Sequence, residues 1–247
     1  MKNFRWQIVL GLILVVLSGV LYLIHYFIFR DLHHIFIYLL GDIAFLPIEV
    51  LLLTLIVDRV LRMREKRAML DKLNMVIGAF FSEVGLRLLY YFSCFDLNAE
   101  NIKKELSDIG RWSEKDFVRI NALIGKFKYS VSCRAGNLEE MKSFLTSKRP
   151  FLLRLLENPN LLEHEKFTEL LWAVFHLTEE LEYRKDLGAG PEPDFDHISG
   201  DIKRAYVLLI SEWISYIRHL KNSYPYLYSL VSRINPFDEN ASAVIRQ

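Results

Sequence analysis

The chain has 247 residues, of which 52% are hydrophobic, and its formal net charge is +1 because basic and acidic residues nearly balance. Near-neutral charge gives no electrostatic basis for binding nucleic acid, and two cysteines are too few for a disulfide or cysteine-metal framework. The mean hydropathy of +0.17 is high for a soluble protein and low for a transporter with many spans.

The excess of apolar residues lies in two runs, at about 6–29 and 35–57, separated by a short polar break. Each run exceeds twenty residues, which at 1.5 Å per residue suffices to cross a hydrocarbon core of about 30 Å. A cleaved signal peptide is disfavoured, because no small-residue cleavage site follows the first run and a second run comes at once. We therefore predict a transmembrane helical hairpin over 1–57.

Local charge predicts the orientation of this hairpin. Lys2 and Arg5 precede the first run, and a basic cluster follows the second: Arg59, Arg62, Arg64, Lys66 and Arg67. The positive-inside rule then places both termini in the cytoplasm, as in a multi-pass protein of the cell (inner) membrane. The same cluster either binds anionic lipid headgroups or acts only as the topogenic signal.

Two carboxylates interrupt the second run. Asp42 and Glu49 are seven residues apart and so lie on one helical face, where acids are costly and commonly functional. In an antiparallel hairpin Asp42 falls near Tyr22 and His25, which are possible partners, whereas the nearest polar atom to Glu49 is that of Ser18, about one turn away. The two acids have either a joint functional role or a structural interhelical role.

Pro47 stands between the two acids and is expected to kink the helix. The break between the runs is too short for a potassium-channel selectivity filter, so that class is excluded. An oligomeric pore lined by the second helix remains open, since one hairpin alone encloses nothing. The missing partner of Glu49 also predicts self-association.

Beyond the hairpin every strong pattern is helical. Apolar residues at helical spacing predict a basic juxtamembrane helix or stalk over 58–95, and 96–247 is predicted to be a cytosolic α-helical domain. The fold class is therefore all-α. Residues typical of helix starts or breaks define its elements: caps at Asn98, Ser113, Asn137 and Asn160, a helix end at Gly110, breaks at Pro150 and Pro159, a loop over 188–193, a helix over 199–222, and a core stripe through Trp213.

A weak metal-site pattern lies in this domain. His176 and Glu180, like His197 and Asp201, are four residues apart and share a helical face. Di-iron bundles use Glu-x-x-His, the reverse order, and in two copies. We interpret His176 as a histidine satisfied in a crowded aromatic core and His197 as a residue preceding a helix start. The sequence thus predicts no cofactor, no catalytic residue and no enzyme.

Two segments resemble a known group of proteins. Gly41–Glu49 and Leu156–His164 are similar to segments of uncharacterised conserved prokaryotic membrane proteins of like length, with two spans and no assigned activity. The resemblance implies one intact two-span architecture over most of the chain and assigns no functional residue.

The leading hypothesis is an integral inner-membrane protein with a cytosolic helical interaction or sensing domain, self-associating in the lipid bilayer. Its expected partners are the bilayer, a second copy of the chain and a cytosolic protein, without nucleic acid. The first alternative is an oligomeric ion channel or ion pathway lined by the second transmembrane helix. The second alternative is a membrane-bound metalloenzyme.

Overall fold

A computed structural model describes residues 2–244, except for the side chains of residues 2–5, 7, 66–68, 70–71 and 162–163. Contacts within the chain divide it into two compact units, Met1–Lys66 and Arg67–Gln247. Helices account for most of both units. The described part of the chain holds no β-strand, only an isolated antiparallel bridge between Asp96 and Val131, so the predicted all-α class is confirmed.

The first unit begins with helix α1, Lys2–Phe29, and continues into helix α2, Leu32–Phe80. Arg30 has φ 48°, a left-handed conformation that lets the chain turn between the two helices. Asp31 then begins α2, because its Oδ1 accepts hydrogen bonds from the backbone N–H groups of His33 and His34. The predicted break between the two apolar runs is therefore a capped turn.

Both runs are long and apolar enough to cross a membrane. Ile8–Phe29 has a mean hydropathy of 2.6 and Leu32–Glu65 one of 2.2, and none of either window is buried within the protein. Apolar surface exposed on this scale is typical of membrane or protein contact. Pro47 lies inside α2.

A third segment, Lys72–Phe95, also has the length and composition to cross a membrane, but half of it is buried within the protein. The helix predicted over 58–95 is interrupted there by one π-helical turn, Phe81–Gly85, before helix α3, Leu86–Phe95. A Cβ on Gly85 would lie 2.5 Å from Cδ1 of Phe81, so this turn accepts only glycine at that position.

The second unit is completed by six further helices: α4 (Ala99–Leu106), α5 (Glu114–Ile124), α6 (Leu138–Leu156), α7 (Glu165–Tyr183), α8 (Glu192–Ser223) and α9 (Pro225–Arg233). Short 3₁₀ turns, Ile109–Arg111 and Pro159–Glu163, precede α5 and α7. The core is centred on α8, whose Trp213 and Tyr206 are fully buried, which confirms the predicted stripe. The aromatic ring of Phe80 packs edge-on against that of Phe167 of α7.

The predicted helix caps are confirmed where the capping side chain forms a hydrogen bond within the first turn of the helix that follows it. Ser113 and Asp116 form the predicted capping box of α5, and Asn137 accepts a hydrogen bond from the N–H of Glu140 at the start of α6. The prediction for Asn98 was wrong in its chemistry, because its amide donates to the carbonyl of Lys128 and makes no cap hydrogen bond. Its helix ends at Leu106, before Gly110.

Three other boundaries differ from the predictions. Asn160 lies within a 3₁₀ turn, and α7 is capped instead by the Nδ1 of His164. Pro150 does not break α6: core contacts of Leu145 and Leu152 on either side outweigh one lost hydrogen bond. Helix α8 begins at Glu192 and not near 199, because a proline in the first helical turn costs no hydrogen bond.

Candidate metal centre

Helices α7 and α8 bring two histidines and two carboxylates together. His176 and Glu180 are one turn apart on α7, and His197 and Asp201 are one turn apart on α8. Each pair projects from one helical face because residues i and i+4 are neighbours on a helix. Packing of the two helices against each other in the core then joins the two pairs into one cluster.

The ligand atoms of this cluster lie at short and similar distances. The Nε2 atoms of His176 and His197 lie 3.5 and 3.4 Å from Oδ2 of Asp201. The same two nitrogens lie 3.8 and 3.7 Å from the two carboxylate oxygens of Glu180. Each imidazole therefore faces both carboxylates.

Asp201 is the most constrained member of the cluster. Its side chain is only 3% exposed, and its Oδ1 forms an ion pair with Arg204 at 3.1 Å. Its Oδ2 is buried and has no hydrogen-bond partner among the described residues. A buried carboxylate oxygen without a hydrogen bond is costly, and here it faces two imidazole nitrogens.

Glu180 is oriented by a second arginine. The Nη1 of Arg184 contacts Oε2 of Glu180 at 2.5 Å, and Arg184 also pairs with Asp194. This hydrogen bond from Arg184 is the main cause that lowers the pKa of Glu180 below its ordinary value. Glu180 is therefore a carboxylate at neutral pH, which is the form that binds metal ions.

The spacing fits a small transition-metal ion. Metal bonds of about 2.0–2.2 Å imply edges of about 3.3–3.6 Å in a tetrahedron of ligands. The two edges to Asp201 fall in this range, and the two edges to Glu180 exceed its upper limit by about 0.1–0.2 Å, which a small side-chain rotation would supply. Ligand atoms of His176, Glu180 and His197 all lie within 4.8 Å of one another, and Asp201 adjoins this group through the two imidazoles.

This arrangement corrects two interpretations made from the sequence. His176 is not a satisfied core histidine, because its side chain is 44% exposed. His197 does not precede a helix start but lies in the second turn of α8, which aims it at the same centre. The orienting residues Arg184 and Arg204 were missed, although each stands three or four positions after the carboxylate it holds.

The acids of α2 lie apart from this centre in sequence and belong to the first unit. Asp42 and Glu49 are both exposed, and neither has a hydrogen-bond or ion-pair partner among the described residues. His25 lies 3.4 Å from His34, Nε2 to Nδ1, while Tyr22 and Ser18 are exposed on α1. The functional role of these positions stays a prediction.

The basic cluster after the second run is solvent-accessible where it is described. Arg59, Arg62 and Arg64 are exposed, and Arg62 pairs with Asp58 one turn earlier at 3.3 Å. The side chains of Lys66 and Arg67 lie outside the described residues. An exposed pair of this kind contributes little to stability.

The fold defines a class: an all-helical protein in which two helices of membrane-crossing length precede a helical domain with a histidine-carboxylate cluster. The chain belongs to the MJ1433 family, whose N-terminal helical domain matches residues 2–61 and whose C-terminal helical domain matches residues 69–233. The uncharacterized protein MJ1433 of Methanocaldococcus jannaschii is 44% identical over 247 residues, which cover 100% of this chain and 99% of the relative. No solved structure matches the chain. The resemblance to an uncharacterised family is confirmed, while the number of membrane spans stays a prediction.

Proposed function

We propose that this protein is a membrane-anchored metal sensor: α1 and the first part of α2 anchor it, and the C-terminal helical domain binds one divalent transition-metal ion. The ligands are His176, Glu180, His197 and Asp201. Two imidazoles with two carboxylates suit zinc or a similar ion better than Ca²⁺ or Mg²⁺, which prefer oxygen ligands.

The observation that supports this proposal is the buried Oδ2 of Asp201, which lies 3.4–3.5 Å from two imidazole nitrogens and makes no hydrogen bond in the described part of the chain. A metal ion between these three atoms would satisfy all of them. Arg204 pairs with the oxygen of Asp201 that faces away from the imidazoles, and Arg184 pairs with Oε2 of Glu180, so each carboxylate has an arginine partner of the kind that commonly supports metal ligands.

The ligand number favours a regulatory role over catalysis. If Asp201 joins the three mutually close ligands His176, Glu180 and His197, four protein ligands complete a tetrahedral shell, and closed shells are typical of structural zinc, whereas catalytic zinc keeps one position for water. The site also joins α7 to α8, which come together only in the folded domain. Binding would therefore report metal concentration as a change in the stability of the helical domain.

Equilibrium dialysis of the full chain in lipid nanodiscs against zinc chloride tests this proposal. The tag-free, chelator-treated protein is expected to bind one zinc ion per chain, and His197→Ala and Asp201→Asn are expected to lose it. Glu179→Gln is the matched control, because Glu179 is adjacent to a ligand but faces Arg149. Zinc-free wild type, or equal zinc in wild type and both ligand variants, would show that the cluster is only an ion-pair network.

Self-association of the anchor is a second proposal, supported by Glu49, which is exposed and has no partner among the described residues. A carboxylate in a membrane is costly unless it meets a polar group or water, and a second copy supplies either. Disulfide crosslinking of Leu53→Cys in a Cys94→Ser background should give dimers or larger species in native-like lipid. A strictly monomeric chain contradicts the proposal.

An ion pathway along α2 is the alternative use of the same acids. If Asp42 and Glu49 line such a pathway, Glu49→Gln abolishes ion flux in liposomes reconstituted with the protein and leaves its folding intact. Flux that is absent from wild type, or equal in the variant, excludes the ion pathway.

Both termini are proposed to face the cytoplasm, where a protein partner would meet the helical domain. Labelling of a Ser242→Cys variant in sealed cells with a membrane-impermeant thiol reagent tests this orientation. The proposal expects no labelling.

A further inference from the structure

The second unit contains an apolar cavity of about 510 Å³ that is separate from the metal centre. Three segments line it: the end of α2 with the π turn (Met75, Gly78, Phe81), the end of α8 (Tyr216), and α9 (Leu227, Leu230). Sites for small ligands typically measure about 300–1,000 Å³ and are lined mainly by apolar side chains. The cavity has the size and lining of such a site.

The lining has no formal charge. Among the described residues it includes no Asp, Glu, Lys or Arg. Its polar side chains are uncharged amide, hydroxyl and imidazole groups, and Nδ2 of Asn74 lies 3.3 Å from Nδ1 of His219. A charged ligand would lose its hydration there without gaining a carboxylate, ammonium or guanidinium as an ion-pair partner, so the cavity favours an uncharged, mainly apolar group.

Helix α9 forms one wall of the cavity without being part of the core. None of its described residues is buried, and Leu227 and Leu230 remain 38% and 40% exposed. The helix is nevertheless held in place, because the hydroxyl of Tyr228 donates to the carbonyl of Ile109 and Asn235 donates to the carbonyl of Leu106. The apolar face of α9 thus stands at a fixed position over a space that protein atoms do not fill.

The opposite wall is equally well defined. The ring of Phe81 stacks on that of Tyr216 with centroids 5.0 Å apart, and the Tyr216 hydroxyl would lie 3.0 Å from a Cβ on Gly78. Glycine at this position therefore leaves the cavity open beside α8. At the rim, Met75 and Tyr226 are 64% and 71% exposed, so the cavity communicates with its surroundings.

We infer that this cavity binds one hydrocarbon chain of an amphiphile, with the polar head of the amphiphile left outside in water. Size, absence of charge and an apolar rim all fit a linear alkyl chain. The anchor supports the choice of occupant, because hydrocarbon chains are the most abundant apolar molecules around a protein held by helices of membrane-crossing length. This inference does not depend on metal binding.

Photocrosslinking of the full chain in phosphatidylcholine vesicles tests the inference. One sample contains a diazirine-labelled fatty alcohol and a second contains phosphatidylcholine with a diazirine in one acyl chain. Mass spectrometry should find label on residues 74–86 and 225–234 as well as on the anchor. Label from the alcohol alone identifies a free single-chain amphiphile as the source, and label from both identifies membrane lipid as well.

Leu230→Asp places a charge in the cavity at a half-exposed position and should lower cavity labelling about tenfold or more, with anchor labelling unchanged as an internal reference. Gly78→Leu fills the cavity and should do the same. Val118→Asp is the matched control, since Val118 is 61% exposed on α5 and is not part of the lining. Circular dichroism verifies that each variant is folded. Label confined to the anchor, or cavity label unchanged in both variants, would overturn the inference.

Discussion

Metal binding should stabilise the helical domain by an amount that can be calculated in advance. His176 and Glu180 are separated from His197 and Asp201 by the α7–α8 connection, so the four ligands meet only when the domain is folded. An ion that binds only the folded state adds about 2.7 kcal/mol at a free concentration one hundred times its dissociation constant. For a unit of about 150–250 residues each kcal/mol raises Tm by about 2–4 °C. The expected increase is therefore about 5–11 °C.

The assay is thermal unfolding of the full chain in nanodiscs, followed by circular dichroism with and without zinc. His197→Ala should lose the whole increase. In the absence of zinc its Tm should stay close to that of wild type, because the side chain is 52% exposed. Glu179→Gln should keep the increase. A full increase in His197→Ala, or none in wild type at saturating zinc, would refute the reasoning.

Three further predictions concern stability. Ser113→Ala removes the capping box of α5 and should lower the free energy of unfolding by about 1 kcal/mol in urea titrations. Gly136→Ala should lower it by about 1–3 kcal/mol, because the new Cβ lies 2.7 Å from the buried ring of Phe95. Burial raises the pKa of Glu212, so its stabilising contribution is complete below pH 4.5 and is lost as pH rises through the folded-state pKa. Glu212→Gln should therefore remove the decrease in Tm that Glu212 causes as pH rises above 4.5.

Each of these predictions has its own control. Gly200→Ala, where no atom lies within 4 Å of the new Cβ, should stabilise α8 by about 0.5–1 kcal/mol, in the opposite direction to Gly136→Ala. A shared sign would contradict the steric argument. If Ser113→Asp keeps the free energy of unfolding that Ser113→Ala loses, the loss comes from capping and not from packing. A pH profile of Glu212→Gln identical to wild type would show that another group titrates.

The features predicted correctly from the sequence are those whose causes are local. The capping box at Ser113 involves atoms three residues apart, and the two apolar runs show their length directly. Pro150 was misjudged because its effect depends on tertiary contacts of neighbouring leucines. Pro193 was misjudged because a proline near a helix start looks like part of the preceding loop.

Only part of the candidate metal centre could be predicted from the sequence, because its two halves meet through a tertiary contact. Each histidine and its carboxylate share a helical face, and that periodicity is plain in the sequence. The meeting of the His176 face with the His197 face depends on how α7 packs on α8, which no local pattern specifies. Because the start of α8 was predicted near residue 199, His197 was also interpreted as lying outside the helix. The cavity could not be predicted from the sequence, because three segments that are distant along the chain form it.

The π turn at Phe81–Gly85 inserts one additional residue between two α-helical segments. An α-helix advances about 100° per residue, so the additional residue rotates everything after it by that angle. Deleting one residue here would swing Leu88 and Phe92 out of the core by a quarter-turn. It would also separate Phe81 from Tyr216, with which it now stacks. Gain or loss of a single codon at this turn would thus change two surfaces at once, while the same change in a loop would alter neither.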